Sequence, residues 1–322
     1  RISYPQVIKE KARIDLKLHI RNEAGVTQNG TVEYVLRDND GTIVKKARAG
    51  NFKVKGNQSA YIYSNLVVDN PKLWSPDAPQ LYWLDVFVKN KRGEIVDGYT
   101  KRIGIRDIDF RGKDGLWLNG EAYNDKLIGG NRHQDFAVVG NALSNSLHWR
   151  DAKKLRNAGM RVIRCAHYPQ DPAFMDACDE LGLFIIVATP GWQFWNKEPI
   201  FGERVYSDIR NMIRRDRNHA SLFFWEPVLN ETGFPVEFTE NALKCVNEEL
   251  PMGNSYSAID PSSKGSEAFP VIYSHPVGGN NRWHSVYEPD PKKVYFTREF
   301  GDNVDDWSAN NSNSRVSRFW GE

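Results

Sequence analysis

The sequence predicts a multidomain protein of mixed class: an antiparallel β-sandwich over residues 1–109, then an α/β unit over 110–322 organised as a (β/α)8 barrel that stops before its last strand. Three observations lead there. A chain of 322 residues is too long for one small module and long enough for two cores. Its first third alternates apolar and polar residues with period two. After Gly120, short apolar runs alternate with amphipathic helical stretches.

In the first third, Ile14, Leu16, Leu18 and Ile20 share one face of a strand, and Leu84, Val86 and Val88 repeat the arrangement. Polar turns separate such strands, "RDNDG" at 37–41 and "NKRG" at 90–93, the spacing of a sandwich of this size. No helix-period segment interrupts the run. Beyond Gly120, "DKLIGG", "RVIRCAH", "LFIIVATP" and "SLFFWEP" precede helices expected near 147–158, 171–181, 203–217 and 235–248; "NSYSAI", "PVIYSHP" and "KVYFTREF" follow. These seven runs are continuously apolar, as parallel strands covered on both faces must be.

The composition excludes several classes. With 43 basic and 41 acidic residues the net charge of +2 offers no footprint for nucleic acid or an anionic membrane. No apolar run approaches the roughly 20 residues of a membrane span. Cys165, Cys178 and Cys245 are few, odd in number and without CxxC spacing, so they read as buried thiols, neither a disulfide framework nor a zinc site. The chain opens at Arg1 without a start methionine, which leaves its compartment open, and nothing in it decides for or against a homo-oligomer.

Catalytic groups of a barrel lie at the C-terminal ends of its strands and in the loops just after them. Glu231 follows the fourth strand and Glu299 ends the seventh. Alternation along "KVYFTREF" puts Tyr295, Thr297 and Glu299 on one face, expected to look into the barrel, and Phe296 and Arg298 on the other. Two carboxylates across one mouth can cleave a glycoside, one protonating the leaving oxygen and the other attacking the anomeric carbon. Each also reads as an ordinary solvated or ion-paired glutamate.

The ordered motifs "NRHQD" (131–135), "RCAHYPQDPAFMDACDELGL" (164–183), "RRDRNHASLFFWEPVLNE" (214–231) and "TREFGD" (297–302) resemble those of the family 2 glycoside hydrolases, the retaining β-galactosidase, β-glucuronidase and β-mannosidase group. "NPKLWSPDAPQLYWLDV" (70–86) resembles the immunoglobulin-like sandwich that precedes the TIM barrel there. The resemblance, nearest to a bacterial β-galactosidase, implies that an N-terminal jelly-roll domain, the eighth strand and later domains lie outside this chain. It implies that Glu231, preceded by Asn230, is the acid/base and Glu299 the nucleophile, with Asn230 binding the sugar 2-hydroxyl. Glu226 matches neither role and is expected to be a buried, paired glutamate. Arg164 matches an arginine beside the nucleophile, against the alternative of a structural salt bridge. His167 matches a histidine that contacts sugar hydroxyls.

Other residues of the expected mouth are less specific. His133 and Arg132 either line it or pair with Asp135; Trp192 either stacks a sugar face or packs as a core or lid residue; His275 follows the sixth strand. The loop from Ala188 to Gln193 shows no ligand set for a hard cation, so neither metal nor other cofactor is expected. The reading is an exo-acting retaining β-galactosidase taking an oligosaccharide or other β-glycoside, with a β-glucuronidase or an inactive carbohydrate-binding scaffold as alternatives.

Overall fold

The computed structural model describes residues 1–250, 256–274 and 290–299. Seven long strands build the first unit: β1 (Ile2–Ile8), β2 (Lys11–Asn22), β3 (Gln28–Asp38), β4 (Ile43–Val54), β5 (Gln58–Asp69), β6 (Tyr82–Asn90) and β7 (Ile95–Ile103). They form two antiparallel sheets, ordered β1-β2-β5 and β4-β3-β6-β7. The inward residues Ile14, Leu16, Leu66 and Val68 of one sheet meet Val32, Tyr34, Leu36, Leu84 and Val86 of the other. Burying such a side chain stabilises by about 1.5–3 kcal/mol, so the period-two pattern translates directly into a sandwich. Both expected turns form: Gly41 and Gly93 take positive φ, and the Asn90 side chain accepts from the Arg92 and Glu94 amides.

Three short strands, β8 (Ile108–Phe110), β9 (Leu116–Leu118) and β10 (Glu121–Ala122), make a small antiparallel sheet between the two units. Ile108, Leu116 and Leu118 pack with Val162, Phe184, Phe223 and Phe224 and close the N-terminal end of the barrel.

The barrel strands are β11 (Gly129–Arg132), β12 (Val162–Cys165), β13 (Phe184–Ala188), β14 (Leu222–Glu226), β15 (Ala258–Ile259), β16 (Val271–Tyr273) and β17 (Val294–Phe296). Sheets β11-β12-β13-β14 and β15-β16-β17 are parallel throughout, and a parallel bridge from Trp225 to Ser257 joins them. The close pairing of β11 with β12 needs a glycine, since a Cβ on Gly129 would lie 1.7 Å from the Val162 carbonyl oxygen. Helices α1 (Asn145–Asn157), α2 (Pro172–Leu181), α3 (Pro199–Asp216) and α4 (Val236–Glu249) cover the sheet. α2 begins where the Asp171 side chain accepts from the Ala173 amide with proline in the first turn, and ends at Gly182 in the left-handed region. Its buried Phe174, Met175, Ala177 and Cys178 pack with Ile163, Ile185 and Val187, the outward residues of β12 and β13. All three cysteines are free and buried.

The opposite faces of the strands look inward. Val162, Phe184, Ile186, Phe224, Val271, Tyr273 and Phe296 fill the barrel. Two positions beyond an inward residue the side chain points inward again, one layer nearer the mouth. That geometry raises Arg164 above Val162, Glu226 above Phe224 and Asp260 above Ala258.

Candidate active site

Arg164 is the centre of this upper layer. Its Nε and Nη2 donate to the two oxygens of Glu226 at 2.8 and 2.7 Å, and its Nη1 donates to Oε1 of Glu299 at 2.8 Å. Arg164 and Glu226 are both only 2% exposed in their side chains, and the Tyr273 hydroxyl adds a hydrogen bond to Glu226 at 3.2 Å. Burial works against the charge on each; their mutual attraction outweighs it, lowering the Glu226 pKa and raising that of Arg164. Glu226 is thus the buried, paired glutamate expected from its place at the end of β14.

The expected facing of the seventh strand requires correction. Phe296 packs inside with Phe223 and Phe224, whereas Tyr295 packs on the helix side. The inward set is therefore Val294, Phe296 and Arg298. Regular strand ends at Phe296, so alternation no longer governs the next residues, and both Arg298 and Glu299 reach the site. For Glu299, burial raises the carboxyl pKa, but contact with His167 and the charges of Arg298 and Arg164 outweigh it, holding it at about 2. His167 Nε2 lies 3.8 Å from Glu299 Oε1, and a cis peptide bond precedes His167.

Glu231 is held differently. It sits at φ 48°, in the left-handed region, at a cost of roughly 1–2 kcal/mol for a residue with a side chain. Its Oε1 accepts from Arg298 Nη2 at 3.2 Å, and its Oε2 accepts from Gln193 Nε2 at 3.1 Å and Trp192 Nε1 at 3.4 Å. The Gln193 amide also donates to the Asn230 carbonyl at 3.0 Å, so the loop after β13 clamps the turn that carries Glu231. The Asn230 side-chain oxygen accepts from Arg298 and from Arg164, the latter at 3.2 Å. Its Nδ2 is buried and has no partner among the described residues.

The structure thus brings Glu231, Glu299, Asn230, Arg164, His167 and Trp192 to one mouth. Trp192 stacks on the His167 ring at 5.3 Å, with planes 12° apart, while half of its surface stays exposed. The His133 ring is 5.4 Å from that of His167; burial and the neighbouring His167 lower its pKa. Arg132 turns away: its Nε pairs with Asp151, not Asp135, and its guanidinium lies 4.0 Å from the Phe174 ring centroid. His275 lies outside the described residues.

Sequence reasoning missed Gln193, Asp260, Tyr273 and Arg298. The first three have no motif, and Arg298 was assigned to the wrong face. A metal-type cluster among the described residues, Asp176, Asp179 and His219, lies away from the mouth, where Ser221, Arg102 and His219 itself already engage the carboxylates.

A beta-galactosidase of Thermoanaerobacter pseudethanolicus is 33% identical over 261 residues, 80% of this chain and 34% of that protein. A putative beta-glucuronidase of Formosa agariphila is 33% identical over 229 residues, 70% of this chain and 26% of that protein. The solved structure of a putative beta-galactosidase from Bacteroides fragilis superposes with a TM-score of 0.76 at 26% identity, covering 85% of this chain and 41% of that one. This chain therefore spans about a third of the length of such relatives. The model of glycosyl hydrolases family 2 matches residues 2–106, and that family's TIM barrel domain matches 111–247. By these matches, and by an immunoglobulin-like sandwich joined to a parallel barrel, the chain belongs to glycosyl hydrolase family 2.

Proposed function

We propose that the chain carries the catalytic centre of a retaining exo-β-glycosidase that removes terminal β-D-galactosides. One observation carries the reading: two glutamates, just beyond the ends of β14 and β17, share a mouth but are held by different partners, Glu299 by Arg164 beside His167 and the more exposed Glu231 by Arg298 with the neutral donors Gln193 and Trp192. Glu299, ionised and aligned by Arg164, acts as nucleophile at the anomeric carbon. Glu231, on the more exposed side, gives its proton to the leaving oxygen, and the glycosyl group passes to Glu299. Glu231 then takes a proton from water, which releases the sugar with its configuration retained. Asn230 supports this through its Nδ2, which has no partner among the described residues and is a donor suited to the sugar 2-hydroxyl.

The names of the relatives divide between galactosidase and glucuronidase. Among the described residues the guanidinium groups at the mouth, Arg164 and Arg298, are already engaged by carboxylates, which favours a neutral sugar over one bearing its own carboxylate. The test is a panel of nitrophenyl β-glycosides on the full-length protein. Preference for the galactoside, abolished by Glu299→Gln, is expected. Preference for the glucuronide would overturn the substrate, and no turnover of any member would favour the binding scaffold.

A further inference from the structure

Arg298 is almost wholly enclosed, with a side chain 2% exposed, yet it touches both residues of the Asn230–Glu231 pair. Its charge is balanced independently of Glu231: Nη1 lies 3.1 Å from Oδ1 of Asp260 and 3.9 Å from Oε1 of Glu226, and the guanidinium lies 5.3 Å from the Tyr273 ring centroid. Protonation of Glu231 therefore leaves Arg298 compensated and in place. A guanidinium has no acceptor, so a carboxyl O–H cannot face it. The two donors on Oε2 are neutral side chains of the loop after β13, which yield more readily than a charge-assisted contact.

We propose that Arg298 is a positioning residue for the acid/base: it reserves Oε1 of Glu231, so that the transferred proton resides on Oε2, and it fixes the Asn230 side chain with its carbonyl inward and its N–H group free for the sugar. This rests on the assignment of Glu231 as acid/base. Removal of Arg298 leaves Glu231 ionisable but free to hold its proton on either oxygen, so fewer encounters present it to the leaving group.

The experiment compares kcat/KM of the full-length protein on glycosides whose leaving groups run from dinitrophenol to a simple alcohol, with Glu231→Ala as reference. Arg298→Gln is expected to slow the dinitrophenyl substrate through the loosened Asn230 and the weaker hold on Glu299, and to slow the alkyl glycoside by about a hundredfold more, within the range for misplaced proton transfer. Arg298→Lys keeps the charge but cannot fork between two acceptors, and is expected to fall between wild type and Arg298→Gln. Equal slowing of all substrates, or of none, would overturn the proposal; if Arg298→Gln does not fold, an unchanged leaving-group slope in Arg298→Lys overturns it instead. A Glu231→Ala variant without leaving-group dependence would sink the acid/base assignment itself. Dependence in Glu231→Ala and its absence in the Arg298 variants would remove Arg298 alone.

Discussion

Arg164 grips Glu226 with two parallel hydrogen bonds of 2.7 and 2.8 Å and spends its remaining nitrogen on Glu299 at 2.8 Å. One guanidinium thereby links a structural carboxylate to the proposed nucleophile. Bidentate pairing fixes its plane, and the fixed plane aims the third bond. Glu226→Ala should therefore destabilise the protein by about 3–5 kcal/mol, because it leaves a buried cation without its main partner. Urea unfolding measures this. Glu226→Gln, which keeps part of the hydrogen bonding, should lose less stability and retain far more turnover than Glu299→Gln; equal loss of turnover would mean that Glu226 takes part in the chemistry.

The low pKa of Glu299, about 2, has a definite sign. A carboxyl with a pKa of about 2 is ionised throughout pH 4 to 6, so the nucleophile should not limit activity there. Arg164→Gln removes one of the charges that lower it, and the acid limb of kcat/KM should move to higher pH. An acid limb that stays in place in this variant would exclude Glu299 as the group that sets it.

The two catalytic roles separate by rescue. Glu299→Ala should abolish turnover of every substrate, since no glycosyl-enzyme forms. Glu231→Ala should still react with a nitrophenyl glycoside, whose leaving group needs no proton, and then stall before hydrolysis. Added azide should restore turnover and yield the β-glycosyl azide. A β-azide from the Glu299 variant, with an α-azide from the Glu231 variant, would reverse the roles.

A crystal structure with both side chains ordered should put the carboxyl groups of Glu231 and Glu299 about 5 to 5.5 Å apart, the separation of retaining enzymes. A distance of roughly 6.5–9.5 Å would point to inversion.

Away from the mouth, His219 Nδ1 lies 2.7 Å from Asp179 Oδ2 in a buried pair. Burial opposes both charges, and the opposite partner overcomes it, so the Asp179 pKa falls and the His219 pKa rises. The histidine contribution to stability is complete below its ordinary pKa and is lost as pH rises through the raised value. The aspartate contribution is present above the ordinary carboxylate range and is lost as pH falls through the depressed value. His219→Gln should flatten the alkaline side of the stability profile. A wild-type and variant profile of equal slope above the ordinary histidine pKa of 6.5 would contradict the pairing.

Much of this architecture is legible in the residues themselves. The runs "VIRC", "FIIVA" and "LFFWE" are buried at every position, and apart from the paired charges Arg164 and Glu226 they are apolar on both faces, as a covered parallel strand requires. β1 escapes because Pro5 and a register shift between Ser3 and Gln6 break its alternation. β8 to β10 are two or three residues long, too short to show a period. Within the site, Glu231 and Glu299 stand out by motif. Asp260 and Tyr273 join them only through the barrel's closure, a relation between residues far apart that no local spacing encodes. Arg298 misleads because alternation holds only while strand lasts.

The seam between sandwich and barrel sets how far the two units can evolve apart. Trp74 is fully enclosed there, its indole packed on Phe184 and donating to the Asp179 carbonyl at 2.9 Å. Arg106 caps the carbonyls of Ala220 and Leu222, where β14 begins, and a Cβ on Gly104 would lie 2.5 Å from that of Ala220. The strand that delivers Glu226 and Glu231 is thus seated against the sandwich with almost no clearance. Exchange of the sandwich for another module would require rebuilding the footing of this catalytic strand.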